Sequence, residues 1–187
     1  MRQILLAASL MAAAVPSAPA AAGPSFGEDR AEIENLMTRY LFALDGRDPE
    51  TYAATFAPDG SVVFVRGEIK GREALAEMVR NLERIGGFTG EERSFPGSAK
   101  APPVVRHMVT STMIEVDGDK AKAYSYWFQI STVNYRRTPE VLGFGHYEDD
   151  LVRIDGAWRF QRRQVFNETL DSRRSKPDQY PFKQTPR

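Results

Sequence analysis

Residues 104–166 read VVRHMVTSTMIEVDGDKAKAYSYWFQISTVNYRRTPEVLGFGHYEDDLVRIDGAWRFQRRQVF. Two Asp-Gly pairs, Asp117-Gly118 and Asp155-Gly156, each interrupt a run rich in β-branched and aromatic residues. That pattern is a strong short-range hairpin signal. The stretch therefore predicts four strands, over 104–116, 120–133, 141–154 and 157–166, joined as an antiparallel meander.

Upstream the period changes from two to about 3.6. In residues 28–44, EDRAEIENLMTRYLFAL, the residues Ile33, Leu36, Met37, Tyr40, Leu41 and Leu44 fall on one helical face. Asp45-Gly46 is expected to end that helix. A second, short helix is predicted from Asp48 as N-cap and Pro49 as first helical residue, through Tyr52, Ala53 and Phe56. Pro58-Asp59-Gly60 reads as a turn and 61–66 as a strand. A third helix spans 71–84, with Leu75, Met78, Val79 and Leu82 on one side. Helices followed by a meander give an α+β domain, with three N-terminal helices packed on one face of a curved sheet. The loop 86–103, framed by Gly86-Gly87 and Pro102-Pro103, is long enough to expect a gating role.

The ends and the composition narrow the function classes. Met1–Gln3 carries one positive charge, residues 4–15 are an apolar run, and Ala18-Pro19-Ala20 is a small-x-small site. This is the layout of a secretory signal peptide over 1–22, predicting an exported protein, periplasmic or extracellular. The folded domain is then 23–168, and 169–187 is a polar, Pro-containing tail. Lys plus Arg and Asp plus Glu are both 25, so no net field draws the chain to nucleic acid or to an anionic membrane. The absence of Cys excludes thiol nucleophiles and Cys-based zinc sites, and two His argue against a site built mainly from His ligands. No phosphate-cradling Gly loop and no metal motif is present, so no cofactor is expected.

The order of several features resembles the SnoaL-like branch of the nuclear-transport-factor-2-like superfamily. They are Ala43-Leu44-Asp45-Gly46-Arg47-Asp48, Tyr52 to Phe56, Gly71-Arg72-Glu73, His107 early in a long strand, Gly145-His146-Tyr147-Glu148-Asp149, and Arg153 to Phe160. The resemblance implies a cone, in which a bent sheet wraps a deep apolar pocket and helices close its side. It also implies the Asp-His dyad of scytalone dehydratase, bile acid 7α-dehydratase and hexachlorocyclohexane dehydrochlorinase, carried here by Asp45 and His107. Tyr40, five residues before Asp45, and Arg163, five after Trp158, fall where relatives have catalytic residues. Arg162 is the inward residue instead if the strand is bulged. Ser125 stands where scytalone dehydratase has a second His.

The chemistry of these residue types suits elimination. A His near neutral pH takes a proton, a carboxylate fixes its tautomer, and Arg and Tyr hold a leaving or developing oxygen. Phe42, Phe64, Ser125 and Trp127 are expected to line the site. Period two leaves open which face of 124–130 turns inward, Tyr124/Tyr126/Phe128 or Ser125/Trp127/Gln129. His146 reads as structural. The reading is a cofactor-independent lyase for a bulky hydrophobic, aromatic or polycyclic molecule. Its rivals are a non-catalytic binding module and a ketosteroid-isomerase-like isomerase. The apolar strand 124–130 also predicts a homodimer or higher homo-oligomer.

Overall fold

The computed structural model describes residues 23–65, 67–82, 105–132 and 138–169. The expected signal peptide, the expected gating loop over 86–103 and most of the expected C-terminal tail lie outside these residues. Helix α1 spans Phe26–Gly46 and α2 Pro49–Ala54; strands β1 (Phe56–Phe64) and β2 (Gly67–Lys70) form a hairpin before helix α3 (Arg72–Arg80). Four long strands follow: β3 (Val105–Asp117), β4 (Lys120–Ser131), β5 (Glu140–Ile154) and β6 (Ala157–Asn167). They make one curved six-stranded sheet in the order β2-β1-β6-β5-β4-β3, antiparallel except where β1 runs parallel to β6.

Local chemistry accounts for the helix ends. Ser25 caps α1 and forms a capping box with Glu28. Gly46 remains inside the helix, and Arg47 takes the left-handed cap conformation at φ 59°. The expected stop at Asp45-Gly46 is thus displaced by one residue. Asp48 caps α2, with Pro49 in its first turn. That helix ends before Phe56, which already belongs to β1, and Pro58-Asp59-Gly60 lies inside the strand rather than in a turn. Gly60 is required there, because a Cβ would stand 2.6 Å from the Phe160 carbonyl of the parallel neighbour.

Burial assigns the inner face. On β4 it is Ala121, Ala123, Ser125 and Trp127 that are buried, so the Ser125/Trp127 face turns inward and Tyr126 lies outside, 42% exposed. On β5 the inner residues are Gly145, Tyr147, Asp149 and Leu151. Of the register shifts in the sheet, those on β3 and β6 reset the inner-face alternation. On β3 the register slips between Thr110 and Met113 around Ser111, whose φ is 53°, and Ile114 is buried beyond it. On β6 it slips past Gln161, so Trp158 and Phe160 are followed inward by Arg163. Each bulge adds one residue, bends its strand and moves the opposite parity to the core. The bulge on β6 therefore places Arg163 inside and not Arg162, the reverse of the expectation for a bulged strand.

Helix α1 packs on the concave side against β3 and β6, and α3 against α2 and β1. Between them lies a core of Ile33, Met37, Tyr40, Tyr52, Phe56 and Phe160, all buried. Asp29, near the start of α1, accepts from Arg153 (2.7 Å) and from the Trp158 indole (3.1 Å), tying the helix to the β5–β6 hairpin. Its charge also suits the helix N-terminus.

The pair Gly143 and Gly145 makes a slot for Trp127. The indole lies over β5 and donates to the Phe166 carbonyl on β6 at 3.0 Å. A Cβ at Gly145 would fall 1.9 Å from that carbonyl and 3.1 Å from the indole nitrogen. Gly145→Ala should therefore cost about 1–3 kcal/mol of stability, the range for overpacking. Chemical denaturation followed by tryptophan fluorescence checks this; an unchanged midpoint would contradict the packing described.

Candidate active site

Two groups of side chains occupy the concave face. The first is Asp45 and His107. Asp45 lies in the last turn of α1, where no basic residue balances the negative helix end. Its Oδ2 accepts from the backbone N–H of His107 at 2.8 Å, and its Oδ1 is 2.6 Å from His107 Nδ1. One carboxylate thus grips both the backbone and the ring of a residue on β3. With Nδ1–H donating to the carboxylate, Nε2 is left as the free, basic nitrogen. It has no hydrogen-bond partner among the described residues. The His107 side chain is 19% exposed and that of Asp45 is 9% exposed, so the pair is recessed yet reachable.

The second group is built on Arg163, which is fully buried. Its Nε and Nη2 donate to the two oxygens of Asp149 at 2.8 and 2.7 Å. The rings of Phe160, Tyr147 and Tyr40 stand 4.0, 4.2 and 4.3 Å from its Cζ. Burial pushes the Asp149 carboxyl up, against the opposing pull of Arg163. Burial lowers Arg163, but Asp149 outweighs it and the net shift is upward. The guanidinium is therefore charged at any working pH. Tyr40 is buried, accepts from the Tyr52 hydroxyl at 3.3 Å, and packs its ring on Tyr52 and Phe160. Burial raises the phenols of Tyr40, Tyr52 and Tyr147, so all three remain protonated donors.

Tyr147 belongs to the second group. Its ring stacks on Trp127 at 5.9 Å and meets Tyr40 edge-on at 6.3 Å. The Asp45 charge is among the fields that raise its phenol. Asp45 and His107 therefore meet directly, whereas Tyr40 and Arg163 meet each other through a ring face.

Of the expected lining residues, Ser125 and Trp127 are buried on the inner face, and Phe64 is half-buried against the core. Phe42 is not a lining residue. It is 76% exposed, because it falls on the outer side of α1, off the apolar stripe. Asp149, Tyr147 and Tyr52 appear in the sequence motifs but are not among the expected site residues. The alternation Gly145, Tyr147, Asp149, Leu151 was available to place the first two on the face shared with Trp127. Among the described residues no group of three or more His, Asp or Glu is placed to hold a metal.

The SnoaL-like domain family matches residues 27–164, most of the chain, from the first turn of α1 into β6. The chain belongs to the SnoaL-like family. An uncharacterized protein of Mycobacterium tuberculosis strain H37Rv is 28% identical over 136 residues, covering 72% of this chain and 82% of that protein. A nuclear-transport-factor-2-like protein with a cystatin-like fold from Novosphingobium aromaticivorans shares the fold, with a TM-score of 0.59 and 24% identity over 73% of this chain and 80% of that one. A second protein of that organism, provisionally named a scytalone dehydratase, aligns at 26% identity and a TM-score of 0.55, covering 74% of this chain and 83% of that one. The SnoaL-like chain thus has the nuclear-transport-factor-2-like fold expected from its motifs.

The other histidine lies outside this site. His146 stands on the outer face of β5, stacked flat on Phe166 at 4.3 Å. Its Nδ1 is 2.7 Å from Glu168 and its Nε2 3.7 Å from Glu148. Burial lowers its pKa, but the two carboxylates outweigh that and leave it above the ordinary value. A raised histidine stabilises the fold below the unfolded value, and that contribution is lost as pH rises through the folded one. The stability gap between the parent protein and His146→Gln should be widest near pH 6 and narrow toward pH 9. Denaturation midpoints across that range check it; a gap that widens with pH would contradict the charge assignment.

Proposed function

We propose that this SnoaL-like protein is a cofactor-independent lyase, a dehydratase or a related elimination catalyst, acting on a bulky hydrophobic molecule. The observation that carries the reading is the double grip of Asp45 on His107. A ring held at Nδ1 by a carboxylate presents Nε2 as a base of fixed direction, and the same carboxylate stabilises the imidazolium that forms. In the elimination, Nε2 takes a proton from carbon. The released pair forms the double bond, and the leaving oxygen departs with its own bonding pair. The imidazolium then returns the proton to that oxygen, releasing water. The inner aromatic residues Tyr147, Trp127 and Tyr40 suit an aromatic or polycyclic substrate.

A second reading, a ligand-binding module without catalysis, draws support from Tyr40 and Arg163. Both are engaged in core packing, with Tyr52 and Asp149 respectively. Export after cleavage of residues 1–22 belongs to the proposal. So does a homodimer formed through the outer sheet face, where Tyr126, Leu142 and Phe144 are exposed.

The test is a panel of aromatic and polycyclic β-hydroxy ketones, followed by absorbance of the conjugated product. His107→Gln and Asp45→Asn should each lower turnover by about 10²–10⁴-fold. The double variant should be no worse than the poorer single one, since the two act as a unit. Parental turnover in a folded His107→Gln protein would end the lyase reading and favour the binding module.

A further inference from the structure

One role in the elimination is unfilled by the residues expected for it. When His107 Nε2 takes a proton from a carbon beside a carbonyl, negative charge develops on the carbonyl oxygen, and a donor held there lowers the barrier. Tyr40 and Arg163, which the family resemblance implies for such a role, are 2% and 0% exposed and are engaged with Tyr52 and Asp149. Other polar groups of the inner face are no better placed. Ser125 and Tyr147 are each 3% exposed, and the Trp127 indole already donates to Phe166. Gln129 differs from all of these. It is the register partner of His107 on β4, so the two side chains stand beside each other on the concave face. Both are half-buried and so reachable. The side-chain amide of Gln129 makes no hydrogen bond among the described residues. Its register partner on the other side, Gly143 of β5, has no side chain to engage it.

We propose that the Gln129 side-chain amide is the donor to the oxygen on which charge develops, with His107 as the base beside it. The proposal rests on the lyase reading and adds to it a second catalytic residue and a substrate class, β-hydroxy ketones. In the first step the C–H pair becomes a carbon–carbon double bond and the carbonyl π pair moves onto oxygen, which accepts from the Gln129 N–H. The oxygen then re-forms the carbonyl. The double bond shifts toward the β-carbon and expels the hydroxyl group, which leaves as water with the proton from the His107 imidazolium. Gln129 gains and loses no proton. A neutral amide suits this place. A cation beside His107 would make its ring a weaker base, and a carboxylate would oppose the enolate. The amide donates to the oxyanion without disturbing the Asp45–His107 pair.

The test uses the full chain and the β-hydroxy ketone panel, beginning with 4-hydroxy-4-(2-naphthyl)butan-2-one. Gln129→Met keeps the length of the side chain and removes its donor. It should lower kcat by about 10²-fold or more, as loss of an oxyanion donor does, and change KM far less, because the bond strengthens as charge develops. The acid limb of the pH profile of kcat/KM, set by His107, should stay in place while the plateau falls. A merely structural role would instead move KM, the limb or the denaturation midpoint. Gln129→Glu has the same shape, so it serves as a second variant. Its carboxylate cannot donate when ionised, so kcat should fall again, and the acid limb should move to higher pH because a negative charge favours the imidazolium. Parental kcat in either folded variant, with His107→Gln inactive, overturns this assignment and leaves the lyase reading standing. A parent protein that eliminates water from no member of the panel ends the lyase reading and this assignment with it.

Discussion

A carboxylate in the last turn of a helix faces the negative end of the helix dipole, and Asp45 is held there by one residue of the sheet. His107 supplies both a backbone N–H and a ring nitrogen to it. The contact joins the C-terminal end of α1 to the start of β3. A second contact, from Arg30 near the start of α1 to the Thr112 carbonyl, joins the helix to the bulge farther along that strand. The position of α1 over the sheet and the orientation of the histidine ring are therefore set together. A change that frees Asp45 releases a helix end as well as a catalytic candidate.

The interior beside this contact is organised by a different balance. Arg163 is buried beyond the reach of water, and its cost is offset by one carboxylate and three aromatic faces. Removing one member of a buried ion pair commonly costs about 3–5 kcal/mol, because the partner is left as an unpaired charge. Asp149 is for that reason as deeply committed to the fold as any apolar core residue. The arrangement also makes the concave face asymmetric, with a basic nitrogen at the His107 end and a neutralised cation at the other.

Much of this was legible in the sequence where the period was regular. Both hairpins form, the first turning at Gly118-Asp119, one residue beyond its Asp-Gly pair, and the second at Asp155-Gly156 with positive φ at both residues, as a two-residue hairpin requires. Asp45 and His107 were both singled out, and they meet. The reading fell short wherever alternation was interrupted. Arg162 and Arg163 are adjacent, and a single bulged residue, Gln161, decides which enters the core. Strand patterning cannot locate a bulge that no Gly or Pro marks. Phe42 was misplaced because hydrophobicity alone outweighed its angle on the helix, off the stripe of Met37, Tyr40, Leu41 and Leu44. Asp149, though part of a quoted motif, is not marked as a site residue by the sequence because it stands in an acidic run, Glu148-Asp149-Asp150, which reads as a solvated surface. Only the inward neighbours Tyr147 and Leu151 distinguish it.

The central claim is that Asp45 fixes His107 as a base directed through Nε2. Nitrogen-15 NMR of the imidazole, recorded on the neutral ring, tests it most directly. The account predicts protonated Nδ1, with a strongly downfield proton bonded to Asp45, and an unprotonated Nε2, both lost in Asp45→Asn. A ring protonated at Nε2, or a tautomer mixture indifferent to Asp45→Asn, would contradict it.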